Sequence, residues 1–185
     1  MVLEALVVEP VVVEKGLTSA AYFAMPETMH PHNLVNGRLY RMPSPTPLHQ
    51  ETVGKMFRKV GDAANRQGGQ ALLSPLDIEF ADGLVYQPDI AYVTEGRLRI
   101  VSDRVRGAPD ITVEVQSRGT RRFVLETKLP QYVAHGVREA WVVEPEARTV
   151  TVYKGDGTRW VSETTVAFGE DIPSDIVKVG ACGLG

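Results

Sequence analysis

Two carboxylates stand in apolar stretches of this sequence, where a charge is costly to bury unless it is paired or bound to a metal. Asp89 lies in the segment Gln87-Pro88-Asp89-Ile90, whose proline cannot donate to a strand ladder and therefore indicates an edge or a bulge. Glu114 lies between Val113 and Val115, which face the opposite side of a strand. Each acid alone also suits the solvent face of a half-exposed sheet. Together, with an arginine-rich connection between them and a lysine-bearing helix after them, they favour a functional site.

Lys128 and His49 are two further side chains whose positions allow chemistry. Lys128 lies beside the apolar stripe of its helix, because Leu125 and Tyr132 are among its neighbours at helical spacing. It fits either a site lysine or a lysine whose stem covers the core, and replacement by Met is expected to preserve stability because the stem survives. His49 shares a helical stripe with Val53, which fits either a substrate contact or a histidine bonded to a loop carbonyl.

Arginines are concentrated in the middle of an otherwise acidic chain. The net charge is −3 over the whole sequence, but residues 97–122 contain seven arginines against three acids. Such a segment could contact phosphates, and Arg118, Arg121 and Arg122, which follow the Glu114 strand, are the candidates for that role. A solvated loop face is the alternative that the charges alone allow.

The pattern of helix and strand signals predicts an α/β protein with a central mixed sheet flanked by helices. The clearest helix begins at Thr46-Pro47, a capping residue followed by proline at the first helical position, and ends at Gly68-Gly69. Asn36-Gly37 is typical of a type I′ hairpin turn within residues 33–42. The other predicted elements are an extended arm over 1–16, a short helix over 18–25, strands within 71–93, a strand over 111–116, a helix over 121–135 with Pro130 as its kink, and strands over 140–143 and 149–153.

Composition limits the classes of protein to which the chain can belong. It has 185 residues, 43% of them hydrophobic, which suits one domain; we place its core at 30–155, with the N-terminal arm and the tail after Asp171 outside it. The single cysteine, Cys182, excludes an intramolecular disulfide and a cysteine-based zinc cluster. No apolar run approaches the length of a membrane span, and the N-terminus lacks the basic region of a signal peptide, so a cytoplasmic protein is expected.

An ordered set of short motifs runs along the predicted elements. Its members are Pro45 with His49-Gln50, Gln87-Pro88-Asp89, and the segments at 109–115 (PDITVEV), 120–122 (TRR), 128–132 (KLPQY) and 136–143 (GVREAWVV). Over residues 30–155 this set resembles a large bacterial family of restriction-type endonucleases within the PD-(D/E)XK nuclease superfamily. The resemblance implies a restriction endonuclease-like fold and a site in which Asp89 and Glu114 bind Mg²⁺ (or Mn²⁺) and Lys128 is catalytic. It also implies DNA as the partner.

Two departures from the family pattern affect the expected site. The superfamily has a lysine two residues after the acidic strand residue, and this chain has Gln116 there, so Lys128 on the next helix is the matching lysine. Glutamine can hydrogen-bond but cannot supply charge, which makes Gln116 and His49 accessory candidates. The family also carries acids in the early hairpin, where this chain has Asn33, Asn36 and Arg38.

The strand pair joined at Asp82-Gly83 decides where Asp77 lies. A two-residue loop mixes polar with apolar side chains on each face of the pair. A three-residue loop pairs Ala81 with Val85, sets Asp77 opposite Asp89 and keeps the faces separate. Because a one-residue slip exchanges the two faces, we expect the three-residue loop, with Asp77 as a third acid beside the site. Two like charges so close would repel unless a cation lay between them; if the strands splay instead, Asp77 points to water.

Three functions remain open at this point. The first is a Mg²⁺-dependent endonuclease that hydrolyses phosphodiester bonds of DNA. The second is a catalytically inactive module on the same fold that binds nucleic acid or another partner. The third is a phosphodiesterase acting on RNA or small nucleotides. The sequence selects no membrane as a partner and leaves open whether the chain forms a homo-oligomer.

Overall fold

The computed structural model describes residues 8–26, 28, 30–181 and 183, so Cys182 and the first seven residues of the expected arm lie outside the described residues. The helices are α1 (Ser19–Phe23), α2 (Pro47–Gln67), α3 (Arg121–Phe123) and α4 (Leu129–Ala134), with a 3₁₀ segment at Glu95–Ile100. The strands are β1 (Val11–Lys15), β2 (His32–Val35), β3 (Arg38–Arg41), β4 (Gln70–Leu73), β5 (Ile78–Ala81), β6 (Leu84–Tyr86), β7 (Ile90–Val93), β8 (Val105–Arg106), β9 (Ile111–Val115), β10 (Glu139–Glu144), β11 (Thr149–Gly155) and β12 (Trp160–Ala167).

The strands form two mixed sheets. Sheet A has the order β1-β3-β2-β6-β5-β8, and sheet B has the order β12-β11-β10-β9-β7-β4. Each contains one parallel pair, β5 with β8 in sheet A and β9 with β10 in sheet B. The predicted α/β class is therefore confirmed, although the strands are divided between two sheets. Within the described ranges, no helix has both the length and the apolar character needed to cross a membrane.

Local signals begin and end several elements where the sequence predicts. The Thr46 side chain accepts a hydrogen bond from the His49 N–H at the start of α2, and Gly68 ends this helix in the left-handed conformation. Asn36 and Gly37 both have positive φ, as a type I′ turn requires, and join β2 to β3. Thr18 caps α1 through its side chain. These elements confirm the predictions made for them.

The two faces of sheet B receive different layers, and this separates Glu114 from its neighbours. Val113 and Val115 point to one face, where they share a hydrophobic cluster with the buried stripe of α2. Glu114 and Val142 point to the other face, where Val142 packs with side chains of the α3–α4 segment. Because successive side chains of a strand alternate between faces, one acid in a valine strand can lie beneath the α3–α4 segment while α2 covers its neighbours.

The helix that follows β9 contains a π-helical turn. Residues Val124–Lys128 form this turn between α3 and α4, and the Leu129 N–H donates to the Val124 carbonyl five residues earlier. Pro130 has no N–H with which to continue the α-helical ladder, so the predicted kink takes the form of a wider turn just before it. Lys128 is the last residue of this turn and is buried.

The C-terminal tail belongs to the core, so the expectation that it lies outside is wrong. Ile172, Val177 and Val179 are buried in the cluster that joins α2 to sheet B. The buried Glu139 carboxylate at the start of β10 accepts hydrogen bonds from the Ser174 hydroxyl (2.7 Å) and the Asp175 N–H (2.8 Å). A buried charge that finds partners in the tail explains why this segment returns to the core.

The predicted register of β5 and β6 is also wrong. Ala81 pairs with Leu84 across a two-residue turn, and a bulge then sets Glu79 opposite Val85. Phe80, the extra residue of the bulge, stacks on Tyr132 of α4 with ring centroids 5.4 Å apart. A bulge lets the pair use a two-residue loop without mixing its faces, an arrangement that the choice between two regular registers did not include.

Candidate active site

A cavity of about 630 Å³ lies where the start of α2, the α1 region and the Glu114 end of β9 meet. Its lining includes four of the side chains singled out by the sequence: Asp77, Asp89, Glu114 and Lys128. His49 also lines it. The structure thus brings residues from four separate elements to one cavity, although the roles expected for them remain predictions.

Asp89 and Glu114 come from neighbouring antiparallel segments. β7 pairs with β9 so that Ile90 lies opposite Val113, and Asp89 and Glu114 are the next residues along each segment. The Asp89 carboxylate accepts a hydrogen bond from the Val115 N–H at 2.7 Å, which ties it to the strand that carries Glu114. Glu114 is only 3% exposed, so it is not on a solvent face of the sheet.

Lys128 is the ion-pair partner of Glu114. Its Nζ donates to both carboxylate oxygens at 2.9 Å and to the Gln87 carbonyl at 3.2 Å. Tyr132, one helical turn further on, donates its hydroxyl to the same carboxylate at 2.5 Å. Both side chains project from the same side of the α3–α4 segment because they are four residues apart.

Burial and charge act against each other at this pair. Burial raises the pKa of the Glu114 carboxyl, and the Lys128 ammonium opposes that shift. The nearby Asp89 charge raises the same pKa further. Burial and the Glu114 charge also raise the pKa of Tyr132 well above its ordinary value, so its hydroxyl remains a hydrogen-bond donor. A group that brings positive charge between the two carboxylates would relieve their repulsion.

His49 lies against the second carboxylate. Its Nε2 is 3.3 Å from Asp89 Oδ2, while its Nδ1 is buried without a hydrogen-bond partner among the described residues. Burial lowers the pKa of His49, but the contact with Asp89 and the Glu114 charge outweigh that effect, so the pKa is raised. The alternative of a histidine bonded to a loop carbonyl is therefore replaced by a contact with Asp89.

Asp77 lines the same cavity but does not lie opposite Asp89. Its Oδ1 accepts hydrogen bonds from the Tyr22 hydroxyl (2.8 Å) and from the Gln87 side-chain amide (2.9 Å). The observed bulge at Phe80 is the reason, because it shifts the register that would have placed the two acids together. Asp77 is instead part of a hydrogen-bonded chain that runs from α1 to the segment before Asp89.

Gln116 stands on the same face of its strand segment as Glu114 and is 8% exposed. Neither its side-chain oxygen nor its nitrogen has a partner among the described residues. The side-chain oxygen of Gln87 is likewise buried and unpartnered in that part of the chain. Buried polar atoms normally find partners, so these amides are available to water or to a bound group.

The three candidate arginines lie outside the cavity lining. Arg118 contacts Glu146 at 3.4 Å, Arg121 contacts Glu144 at 2.9 Å, and Arg122 contacts Glu126 at 2.8 Å. Ser117 and Thr120, from the same loop, do line it. The arginines are therefore surface residues beside the site, and their contact with nucleic acid remains a prediction.

Sequence reasoning did not find Tyr22 and took Tyr132 only as part of an apolar stripe. Tyr132 had a usable signal, because it lies four residues after Lys128, where a hydroxyl can reach the partner of that lysine. Tyr22 had no such signal, since it is 55 residues away from Asp77 in the sequence.

The donor set suits a hard divalent cation. Mg²⁺ is held in proteins by one or two carboxylates and completes its shell with water and substrate phosphate, and Asp89 and Glu114 provide that pair. The unpartnered amide oxygen of Gln87 is a further oxygen donor in the cavity lining. The described residues contain no group of three or more histidine, cysteine or acidic side chains arranged to hold an ion, which also suits a cation with few protein ligands.

Comparison with known proteins defines the class of this fold. A solved structure described as "a putative nuclease belonging to DUF820 from Anabaena variabilis ATCC 29413" superposes with a TM-score of 0.72 over 86% of this chain and 89% of that chain. The two sequences are 19% identical, so the likeness establishes a shared nuclease-type fold. No curated protein matches the sequence.

The family of the chain follows from a match to the Uma2 family model, which is described as "Putative restriction endonuclease" and covers residues 19–181. The chain belongs to this family, and the predicted restriction-endonuclease-like relationship is confirmed. The match begins at α1 and reaches the C-terminal tail, so it extends beyond the 30–155 segment on which the resemblance rested.

Proposed function

We propose that this protein is a Mg²⁺-dependent (or Mn²⁺-dependent) endonuclease that hydrolyses phosphodiester bonds of DNA in the cavity. The observation that carries the proposal is the buried Glu114–Lys128 pair with Asp89 on the adjacent segment. A buried lysine held between two carboxylates and an open cavity has no evident structural benefit, since such pairs are often replaceable by apolar side chains without loss of stability. Membership of the Uma2 family supports the nuclease assignment.

Asp89 and Glu114 would hold the metal, which when bound acidifies a water and withdraws charge from the scissile phosphate. Lys128 holds a fixed positive charge beside these carboxylates, and its ammonium can donate to a phosphate oxygen as negative charge develops there. Tyr132 holds Glu114 in place by hydrogen bonding to one oxygen. His49 faces Asp89 and orients that carboxylate together with the Val115 N–H.

The test is metal-dependent cleavage by the wild type and by Asp89→Asn, which removes a charge while keeping the volume. We expect Mg²⁺ to support cleavage of supercoiled plasmid or of circular single-stranded DNA by the wild type and not by the variant. Asp62→Asn is the matched control, because Asp62 is exposed on α2 and outside the cavity lining. Equal cleavage by Asp89→Asn and the control would contradict the proposed site.

Metal binding, measured by calorimetry with MgCl₂ or MnCl₂, separates the proposal from the inactive module. The wild type should bind the cation and Asp89→Asn should not, with unchanged circular dichroism for both. A protein that binds DNA but neither binds the cation nor cleaves DNA would identify the module instead.

The arginines are tested by the salt dependence of DNA binding. Each exposed arginine that neutralises a phosphate adds to the slope of log affinity against log salt. Arg121→Ala/Arg122→Ala should lower that slope by about one or two charges' worth. An unchanged slope would assign both arginines to their ion pairs with Glu144 and Glu126.

A further inference from the structure

The reactive groups of the candidate site lie at depth. The side chains of Glu114 and Lys128 are each about 4% exposed, and that of Asp89 is 19% exposed. A phosphate that is to reach them must therefore enter the cavity that they line. This requirement limits the shape of substrate that the site accepts.

The cavity has the dimensions of a small-ligand site. Its volume of about 630 Å³ falls in the range of about 300–1,000 Å³ that holds drug-sized ligands. One or two nucleotides are of that size. A DNA duplex is much larger, since its major groove alone is about 12 Å wide.

The charge of the lining also differs from that of a duplex-binding surface. Proteins that hold a duplex place many arginines and lysines along its two phosphate backbones. Of the described residues that line this cavity, three are acids, Lys128 is the lysine and none is an arginine. The lining therefore provides a phosphate contact at one point and no cationic track.

Aromatic and proline side chains form much of the remaining lining. Tyr22 and Phe23 come from α1, His32 from β2, and Pro43 and Pro45 from the loop before α2. Unstacked bases bind to such flat faces, especially to aromatic rings, whereas the bases of an intact duplex are stacked on each other and not available.

This aromatic side is fixed relative to the carboxylates. The Ser19 N–H donates to Asp82, and the Gly83 N–H donates to the Ser19 hydroxyl, so α1 is tied to the β5–β6 turn. A chain of hydrogen bonds then leads from the Tyr22 hydroxyl through Asp77 and Gln87 to Lys128. The distance between the rings and the reactive groups is thus built into the fold.

We propose that the site acts on unpaired DNA: one or two unstacked nucleotides occupy the cavity, with a base against Tyr22 and the adjoining phosphate at Asp89, Glu114 and Lys128. This inference rests on the proposed function and specifies its substrate. An intact duplex reaches the site only where its strands separate.

The test compares a short fluorescein-labelled single-stranded oligonucleotide with the blunt duplex of the same sequence. Binding is measured by fluorescence anisotropy on the Asp89→Asn protein, which does not consume the probe, and cleavage is measured on the wild type with Mg²⁺. We expect the single strand to bind at least about tenfold more tightly than the duplex, since a stacked base contributes on that order. It should also be cut faster.

Tyr22 supplies a matched pair of variants. Tyr22→Leu removes the ring and should weaken single-strand binding about tenfold, whereas Tyr22→Phe keeps the ring and should retain most of it. Both variants lose the hydrogen bond to Asp77, so a loss shared equally by the two would show that the bond and not the ring matters, and would overturn the assignment of a base to Tyr22. Thermal melting of both variants checks that they are folded.

The two proposals fail in distinguishable ways. A duplex that binds and is cut as well as the single strand overturns the choice of unpaired DNA while leaving the nuclease proposal intact. Absence of Mg²⁺-dependent cleavage on every substrate contradicts the nuclease proposal, and the choice of unpaired DNA as its substrate falls with it, whichever probe binds.

Discussion

Replacing Lys128 by Met should destabilise the protein strongly. The apolar stem survives this change, and on that ground alone stability would be preserved. The structure reverses the expectation, because the substitution leaves the Glu114 carboxylate buried without its cation. Removing one partner of a buried ion pair is costly even where replacing both partners is not.

The expected loss is about 3 kcal/mol, at the lower end of the range of about 3–5 kcal/mol for breaking a buried pair. Two features limit it. Tyr132 still donates a hydrogen bond to Glu114. The carboxyl can also take up a proton, because its pKa is raised by burial and Lys128 no longer opposes the rise. For a chain of this length the loss corresponds to a fall in Tm of about 6–12 °C.

Urea unfolding followed by circular dichroism, at one pH and with the m value compared between proteins, measures this loss. The double variant Glu114→Gln/Lys128→Met should be clearly more stable than the sum of the two single losses, since neither charge is then left alone. Lys55→Met is the control: it breaks an exposed pair with Glu51 and should change stability by at most about 1 kcal/mol. A Lys128→Met protein as stable as this control, or strictly additive losses in the double variant, would refute the reasoning.

Three other expectations concern parts of the fold outside the reactive pair. Glu139→Ala should cost about 2–4 kcal/mol and increase hydrogen exchange over residues 172–179, because it removes the acceptor for Ser174 and Asp175 and leaves Trp141 Nε1 unpaired; an unchanged exchange rate there would contradict the anchoring role. Gly119→Ala should displace the segment at Val8, whose carbonyl oxygen would lie 2.0 Å from the new Cβ, and increased proteolysis of the N-terminal arm would report it. Burial raises the pKa of Asp110, but hydrogen bonds from Thr94 and the contact with Arg97 outweigh that effect and lower it, so its contribution to stability is present above about pH 4 and is lost as pH falls through the folded pKa; Asp110→Asn should flatten the acid limb of the stability curve below about pH 4.

The sequence by itself determined the elements whose signals are local. The bounds of α2 follow from Thr46-Pro47 and Gly68, and the β2–β3 turn follows from Asn36-Gly37, because a capping hydrogen bond or a positive φ depends on a few consecutive residues. The alternation around Glu114 placed this acid on a different face from Val113 and Val115 for the same reason. The motif order was enough to indicate the family and its expected acids.

The tertiary structure alone decided the surroundings of these residues. The bulge that moves Asp77 away from Asp89 places Phe80 on Tyr132, a residue more than fifty positions later in the chain. The contact between Tyr22 and Asp77 likewise joins distant segments.

The burial of Glu114, on which the stability prediction depends, arises from the α3–α4 segment above its strand. Alternation along a strand says which residues share a face, but not whether that face is covered or what charge covers it. Those properties come from packing between elements far apart in the sequence, and no local pattern encodes them.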